Sequence, residues 1–347
     1  MKIFHIIAGA EHGGAESCAV DTISALHKAG VDQVLVCRAY DHFLPFKEQL
    51  KGKYHTVNFH RLNTWLDSRK INRLIAVEEP DLVHCWMNRA ASVVKKQIET
   101  PVLGWFGGYY NLKYYKNCDF YMGVTKDIVS YINKNSQISD RAYLGHPFGT
   151  LEKKNNLKKS DIGIPEDSKV VLLLSRMHQK KGVDLLIQAA QQIEGVYFLL
   201  AGDGPELSRY KALATRLGVS DRVIFPGWCE DRLALLQLAD VCTLPSRYEP
   251  FGIVMTEAWF AGVPLVATRA AGAQQYVTDG VDGLLLEIDD LEGLVHAIKR
   301  CLQSTSLSRK LVLGGKETYK NQFSRDAIIE KLINSYEDMI SRFHQSN

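Results

Sequence analysis

The sequence lacks several features that would place it in a specialised class of protein. It has no run of 18 apolar residues, and its first apolar run is interrupted by His5 and ended by Glu11. It contains no C-x-x-C pair, no H-E-x-x-H motif and no D-x-D motif. These absences predict a protein without a membrane-spanning helix, a signal sequence or a metal ion, which works in the cytoplasm or at the inner surface of a membrane.

Cysteine content and net charge are equally unspecialised. The seven cysteines are odd in number and scattered, and most lie within apolar segments, which predicts reduced core residues. Residues 1–150 hold 18 Lys+Arg against 14 Asp+Glu, a balance of +4, whereas residues 151–347 hold 24 against 25, a balance of −1. So small an excess does not predict nucleic-acid binding, but it is compatible with weak attraction to anionic lipid or to a phosphorylated substrate.

The length and one polar segment indicate two domains. A chain of 347 residues exceeds the size at which a single core stops growing. Residues 150–169 are polar and lysine-rich with few apolar residues, as in an exposed linker. We therefore expect one domain over residues 1–150 and a second that begins at residue 151.

Short apolar runs alternate with helical patterns in both halves, which predicts an α/β fold with two doubly wound parallel sheets. After residue 288 the patterns are helical to the end. The first helix has one apolar face, and Gly30 follows its last turn as a cap. The ten predicted strands are IFHIIAG, QVLVC, DLVHCW, PVLGWF, FYMGVT, VVLLLS, VYFLLAG, RVIF, DVCTLPS and PLVATRA.

A Gly-Gly pair follows the first predicted strand. Gly13 and Gly14 allow close approach of a ligand to the backbone before the helix begins, where free N–H groups favour an anion. An ordinary strand-to-helix turn explains the same residues equally well. A dinucleotide site is the weaker interpretation, because the pattern is not G-x-G-x-x-G and the second strand ends in Cys37-Arg38 instead of an acidic residue.

Two cations follow the strand VVLLLS, at the end of a strand where α/β sheets bind ligands. Arg176 and Lys181 lie five residues apart in RMHQKKG. Arginine binds phosphate oxygens in pairs and lysine acts as a point charge, so the two suit a diphosphate. A solvated basic loop is the alternative, since Lys180 is adjacent.

Two carboxylates stand at the start of an unusually apolar helix. In YEPFGIVMTEAWFAG, Glu249 lies in the loop and Glu257 in the second turn of a helix that starts near Gly252. Glu257 should be at least partly buried and therefore needs hydrogen-bond donors, from a protein side chain or from the hydroxyls of a ribose. Glu249 could accept hydrogen bonds from a sugar, and the helix N-terminus near Phe251 and Ile253 is a further anion site.

Together these motifs resemble those of the family 4 glycosyltransferases of GT-B fold, also called glycosyl transferases group 1. The resemblance spans nearly the whole chain and is strongest over residues 170–290. The motifs are GGAE, the Arg-x4-Lys-Gly loop, AGDGPE, LPSRYEPFG and the E-x7-E pair.

The resemblance implies two Rossmann-like domains that face each other across a cleft. Residues 1–150 would be the acceptor-side domain and residues 151–325 the nucleotide-sugar-binding domain, with residues 326–347 forming a helix that packs back on the first. It implies retaining, metal-independent sugar transfer from a nucleotide-diphosphate donor, with no cofactor, to a glycan or lipid-linked acceptor of lipopolysaccharide or another surface polysaccharide.

The resemblance also assigns residues to roles. Arg176 and Lys181 would stabilise the departing diphosphate, Glu249 would bind the donor sugar and Glu257 the ribose. The remaining predicted substrate-binding residues are Gly13, Gly14, Gly204, Pro250, Phe251, Gly252 and Ile253.

The chain departs from the family pattern at its histidines. Many members carry a histidine after the strand that corresponds to PVLGWF, and Phe106 or Gly107 stands there instead. His84 and His12 lie near ends of predicted strands, where each either assists catalysis or is a structural residue. Two other functions stay open: a nucleotide-sugar epimerase or NAD oxidoreductase on a similar frame, and a non-enzymatic sugar-nucleotide-binding protein.

Overall fold

The structure is a computed structural model that describes residues 1–9, 14–59, 64–136, 140–147, 151 and 156–346. The chain divides into two compact units. The first unit comprises residues 1–149 and 325–347, and the second comprises residues 150–324.

The first unit is built on a seven-stranded parallel sheet with the order β3-β2-β1-β4-β5-β6-β7. Its strands are β1 (Lys2–Ile7), β2 (Asp32–Cys37), β3 (Tyr54–Thr56), β4 (Leu82–Trp86), β5 (Val102–Phe106), β6 (Phe120–Gly123) and β7 (Ala142–Leu144). The helices between them are α1 (Gly14–Lys28), α2 (Pro45–Gln49), α3 (Thr64–Glu78), α4 (Met87–Val93) and α5 (Lys126–Asn135).

The second unit contains a six-stranded parallel sheet with the order β10-β9-β8-β11-β12-β13. Its strands are β8 (Lys169–Leu174), β9 (Val196–Ala201), β10 (Val223–Gly227), β11 (Val241–Leu244), β12 (Leu265–Thr268) and β13 (Leu284–Leu286). The helices are α6 (Val183–Gln192), α7 (Leu207–Arg216), α8 (Arg232–Leu238), α9 (Ile253–Ala261), α10 (Ala271–Tyr276), α11 (Leu291–Gln303) and α12 (Thr305–Thr318).

The last helix, α13 (Arg325–Ser346), belongs to the first unit. Tyr336 is fully buried, and its hydroxyl lies 2.7 Å from Nδ1 of His84 on β4. Near the end of α13, Arg342 donates a 2.8 Å hydrogen bond to the carbonyl of Asp140. The first unit is therefore completed by residues from the far end of the sequence.

The burial of the strands explains why they could be predicted from the sequence. The central strands β1, β4 and β8 are buried at nearly every position, because a parallel sheet has helices on both faces and its strands need continuous apolar sequence. Helix α1 buries Cys18, Ile23 and Leu26 on one face and ends before Gly30, which takes a φ of +79°.

The predicted α/β fold with two doubly wound sheets is confirmed. All ten predicted strands are present, whereas the three-residue strands β3, β7 and β13 were not predicted. The seven cysteines are free, and six are buried. No helix in the described ranges is long and apolar enough to cross a bilayer.

Candidate functional site

The loop after β8 carries the two predicted cations. Arg176 is exposed, and its guanidinium has no hydrogen-bond or ion-pair partner within the described part of the chain. Residues Gln179–Lys181 form one turn of 3-10 helix, which the ring of His178 caps by accepting a 3.1 Å hydrogen bond from the backbone N–H of Lys180. The turn delivers Lys181 to the start of α6.

Glycines allow neighbouring loops to touch this cation loop. Gly182 has a φ of +63°, and a Cβ there would lie 1.9 Å from the carbonyl oxygen of Pro245. Gly204, with a φ of +159°, would place a Cβ 2.5 Å from the carbonyl oxygen of Met177. Only glycine fits such contacts, so the loops after β8, β9 and β11 pack backbone against backbone.

Lys181 and Glu249, predicted from separate motifs, are in direct contact. The ammonium Nζ of Lys181 lies 2.5 Å from Oε2 of Glu249, and both side chains are largely buried, with 24% and 13% exposed. The pair joins the loop after β8 to the loop after β11. One N–H of the ammonium is used by Glu249, which leaves two donors for another acceptor.

Arg247 fixes the same two loops to each other. Its guanidinium forms a two-pronged contact with Asp184, with both N···O distances 2.8 Å, and donates to the carbonyl of Gln179 at 2.8 Å and to Asp289 at 2.6 Å. The backbone N–H groups of Arg247 and Tyr248 donate to the carbonyl of Lys180. These bonds hold the turn that carries Lys181, and the contact with Asp184 raises the pKa of the arginine further above its usual value.

The N-terminus of α9 lies beside Glu249. Gly252 caps the helix with a φ of +87°, and a Cβ there would lie 3.1 Å from Cγ of Glu249. Phe251 is buried, and its carbonyl packs against Gly272, whose N–H donates 2.9 Å to the carbonyl of Glu249. The loop that carries Glu249 is thus held from both sides.

Glu257 is buried in α9, as predicted, and a protein side chain forms an ion pair with it. Only 2% of its side chain is exposed, and Oε1 lies 2.8 Å from Nη1 of Arg232 at the start of α8. Arg232 is itself 31% exposed, so the pair extends from the interior to the surface. A buried carboxylate requires such a partner to stay charged.

The structure brings together some of the predicted residues and not others. Lys181, Glu249 and Gly252 are neighbours, and Gly204 packs beside Arg176 through Met177. Pro250 and Ile253 are half-buried next to Phe251. Gly14 is the first residue of α1 in the first unit, and Gly13 lies outside the described residues, as does His12.

His84 has a structural environment. It is fully buried within β4, its Nδ1 contacts Tyr336, and its ring stacks on Trp86 with centroids 4.4 Å apart. Burial and the neighbouring His5 hold its pKa well below the ordinary value, so the ring is neutral. Nothing in these contacts favours a catalytic role over a structural one.

Sequence reasoning missed three charged residues that shape the site. Arg232 is 25 positions from Glu257, and no local pattern connects the two. Arg247 stands inside the motif LPSRYEPFG, so its position was a usable signal, but its partner Asp184 is 63 positions away.

Among the described residues, no group of three or more His, Cys, Asp or Glu side chains is placed to hold a metal ion.

Comparison with known families gives matches to both halves of the chain. The sequence profile of the family described as Glycosyl transferases group 1 matches residues 154–318. The profile of Glycosyltransferase Family 4 matches residues 12–135.

Two relatives from Rhizobium meliloti strain 1021 are similar over nearly the full length. The lipopolysaccharide core biosynthesis glycosyltransferase LpsE is 32% identical, over 95% of this chain and 97% of its own. The lipopolysaccharide core biosynthesis glycosyltransferase LpsD is 31% identical, over 99% and 100%. Among solved structures, Anabaena HepE in complex with UDP has the same fold, with a TM-score of 0.83 at 20% identity over 97% of this chain and 100% of that one.

Proposed function

Because the chain belongs to the group 1 glycosyl transferases of family 4 and is a glycosyltransferase of GT-B type, we propose that it transfers a sugar from a nucleotide-diphosphate donor with retention of anomeric configuration. The observation that carries the proposal is the contact between Lys181, the cation for which we propose phosphate binding, and Glu249, the acid for which we propose sugar binding. The proposed acceptor is a glycan or a lipid-linked glycan of lipopolysaccharide or another surface polysaccharide, as the names of the two Rhizobium relatives suggest.

The proposed donor contacts follow the charges of the second unit. Arg176 and the two remaining N–H donors of Lys181 bind the diphosphate, and the N-terminus of α9 adds its partial positive charge. Glu257, which is paired with Arg232, accepts hydrogen bonds from the ribose, and Glu249 accepts them from the sugar. Because HepE forms a complex with UDP, UDP sugars are the first donors to test.

The proposed chemistry needs no covalent intermediate. Glu249 is tied to an ammonium at 2.5 Å, which makes its carboxylate a poor nucleophile. The bond from the anomeric carbon to the diphosphate oxygen breaks, the acceptor oxygen attacks from the same face, and the acceptor proton passes to the departing diphosphate. Preorganised donors at the developing charge contribute about 3 kcal/mol each to such a reaction.

We also propose that the transfer requires no metal ion. The guanidinium of Arg176 and the ammonium of Lys181 supply the positive charge that a divalent ion supplies to diphosphate in other transferases. Transfer should therefore persist at full rate in the presence of EDTA. A loss of rate that Mg²⁺ or Mn²⁺ restores would contradict this part of the proposal.

Donor identity and stereochemistry are tested in two steps. A thermal-shift panel of UDP, GDP and ADP sugars should single out one nucleotide, since a ligand at 100 times its Kd stabilises by about 2.7 kcal/mol. Proton NMR of the product formed from that donor should then show the anomeric configuration of the donor. Inversion, or a donor that is epimerised instead of transferred, would overturn the proposed reaction.

A further inference from the structure

Helix α3 of the first unit exposes an unusual combination of side chains. At about 100° per residue, the exposed residues that follow Thr64, the first residue of the helix, fall within an arc of about 140° that contains three cations and no acid. The buried residues Asp67, Ile71 and Ile75 lie on the opposite face. The exposed face, hereafter the α3 surface, comprises Trp65, Leu66, Arg69, Lys70, Arg73, Ala76 and Val77.

The apolar members of the α3 surface are strongly exposed. Trp65 is 62% exposed, Leu66 48% and Val77 71%. A neighbouring loop continues the surface, because Asn72 accepts hydrogen bonds from the N–H of Lys95 and from Gln97. Ile98 of that loop is 85% exposed. Together with Trp65 and Val77, it makes up three of the five most exposed large apolar side chains in the described chain.

The cations of the α3 surface are available to an external anion. The guanidinium groups of Arg69 and Arg73 have no hydrogen-bond or ion-pair partner in the described ranges, and the ammonium of Lys70 contacts only the carbonyl of Thr56, at 2.9 Å. Lys95 adds a fourth exposed cation, and Glu99 is the one exposed acid of the adjoining loop, residues 94–100. Cations that pair with no carboxylate of their own protein keep their full charge for a partner.

We infer that the α3 surface docks the enzyme on an anionic membrane. Tryptophan and leucine favour the boundary between headgroups and acyl chains, and arginine and lysine favour phosphate headgroups beside them. Each cation near an anionic bilayer strengthens binding, whereas an exposed apolar cluster alone would favour a protein partner. The inference rests on the proposed function only in that a lipid-linked acceptor requires the enzyme at a membrane.

Vesicle sedimentation tests the surface without donor or acceptor. The wild-type chain should bind vesicles of phosphatidylcholine that contain phosphatidylglycerol, and binding to phosphatidylcholine alone should be weak. Arg69→Gln/Arg73→Gln should lower the partition coefficient on anionic vesicles roughly 30-fold. Trp65→Ser/Leu66→Ser should weaken binding at low and high salt, because it removes the inserted side chains.

Two matched variants in the second unit provide controls. Lys211→Gln/Arg216→Gln removes two exposed cations from α7, and Leu313→Ser removes a side chain that is 63% exposed. Both should bind vesicles as the wild type does. Equal losses in control and test variants, equal binding of wild type to neutral and anionic vesicles, or unchanged binding after either change to the α3 surface would overturn the inference.

Tryptophan fluorescence gives a second measurement that leaves the α3 surface intact. Of the five tryptophans, only Trp65 and Trp228 are exposed, so Trp228→Phe makes Trp65 the one exposed indole. Anionic vesicles should shift its emission to the blue, and an unchanged spectrum would contradict insertion. The donor-induced thermal shift of the α3 variants should equal that of the wild type, which separates failure of docking from failure of the proposed transfer.

Discussion

The two units place their polar side chains in different parts of the same architecture. In the first unit, polar groups lie inside the sheet. Nε2 of His5 contacts Gln33 at 3.1 Å, and the indole N–H of Trp86 donates to Nδ1 of His5 at 3.3 Å. In the second unit, the contact between Lys181 and Glu249 joins two loops that follow strands. Polar groups inside a strand fix packing, whereas those in loops remain accessible to a ligand.

The largest expected effect is on turnover and comes from a substitution in the second unit. Lys181→Gln keeps a donor for Glu249 but removes the positive charge, so kcat should fall roughly 10² to 10³-fold, as for loss of one preorganised donor. Lys180→Gln is the matched control, because its ammonium lies over the ring of Tyr248 at 4.6 Å. Turnover of both variants is measured at saturating donor, and a Lys180 effect as large as the Lys181 effect would contradict the assignment.

Acid should destabilise the first unit more than the second. Burial lowers the pKa of His146 to about 4, from an ordinary value of 6.5, and also lowers that of His5 to about 3. An imidazole with a lowered pKa takes up protons more readily when unfolded, so its stabilisation is present above pH 6.5 and is lost as the pH falls towards 4. At about 1.4 kcal/mol per unit, His146 alone accounts for roughly 3 kcal/mol.

Hydrogen exchange resolves the two units in one experiment. Between pH 6.5 and pH 4.5, after correction for the intrinsic rate, protection should fall in β1, β4 and α13 and change less in β8 and β9. The second unit contains His178 and His296, and neither has the buried environment of His5. Equal loss in both sheets would show that carboxylates, not the buried histidines, dominate the acid response.

Arg247 tests whether a loop residue can matter for both stability and transfer. Arg247→Ala removes the two-pronged contact with Asp184 and should lower the free energy of unfolding of the second unit by about 2 kcal/mol. Arg247→Lys should restore less than half of this, because an ammonium cannot make both contacts. Urea unfolding measures the change in stability. In both variants kcat/KM should also fall, because the turn that carries Lys181 loses its anchor. Full activity in the alanine variant would contradict the positioning role.

The smallest expected effect is on the last helix. Tyr336→Phe leaves Nδ1 of His84 without its partner and should lower the free energy of unfolding of the first unit by about 1 kcal/mol. The donor-induced thermal shift should not change, because the affected contacts belong to the packing of the first unit. A large loss of donor binding in this variant would mean that the buried network has a role in the site.

The sequence was most informative about features that depend on a single helix or strand. Strands such as VVLLLS were predicted because continuous apolar sequence is required between two layers of helices, whereas β3, β7 and β13 are too short to show a pattern. The burial of Glu257 followed from the apolar helix around it, but Arg232 did not, because the pair depends on how α8 and α9 pack. The roles assigned to Arg176, Lys181 and Glu249 remain predictions.

The position of α13 has a consequence for synthesis of the protein. Residues 150–324 form a continuous unit, so the second unit can fold as soon as it has left the ribosome, whereas the first lacks α13 until residues 325–346 have been made. During that interval β4 is without Tyr336, and the apolar surface that α13 covers is open to water. A nascent chain stalled before residue 325 should therefore bind chaperones through the half that was made first.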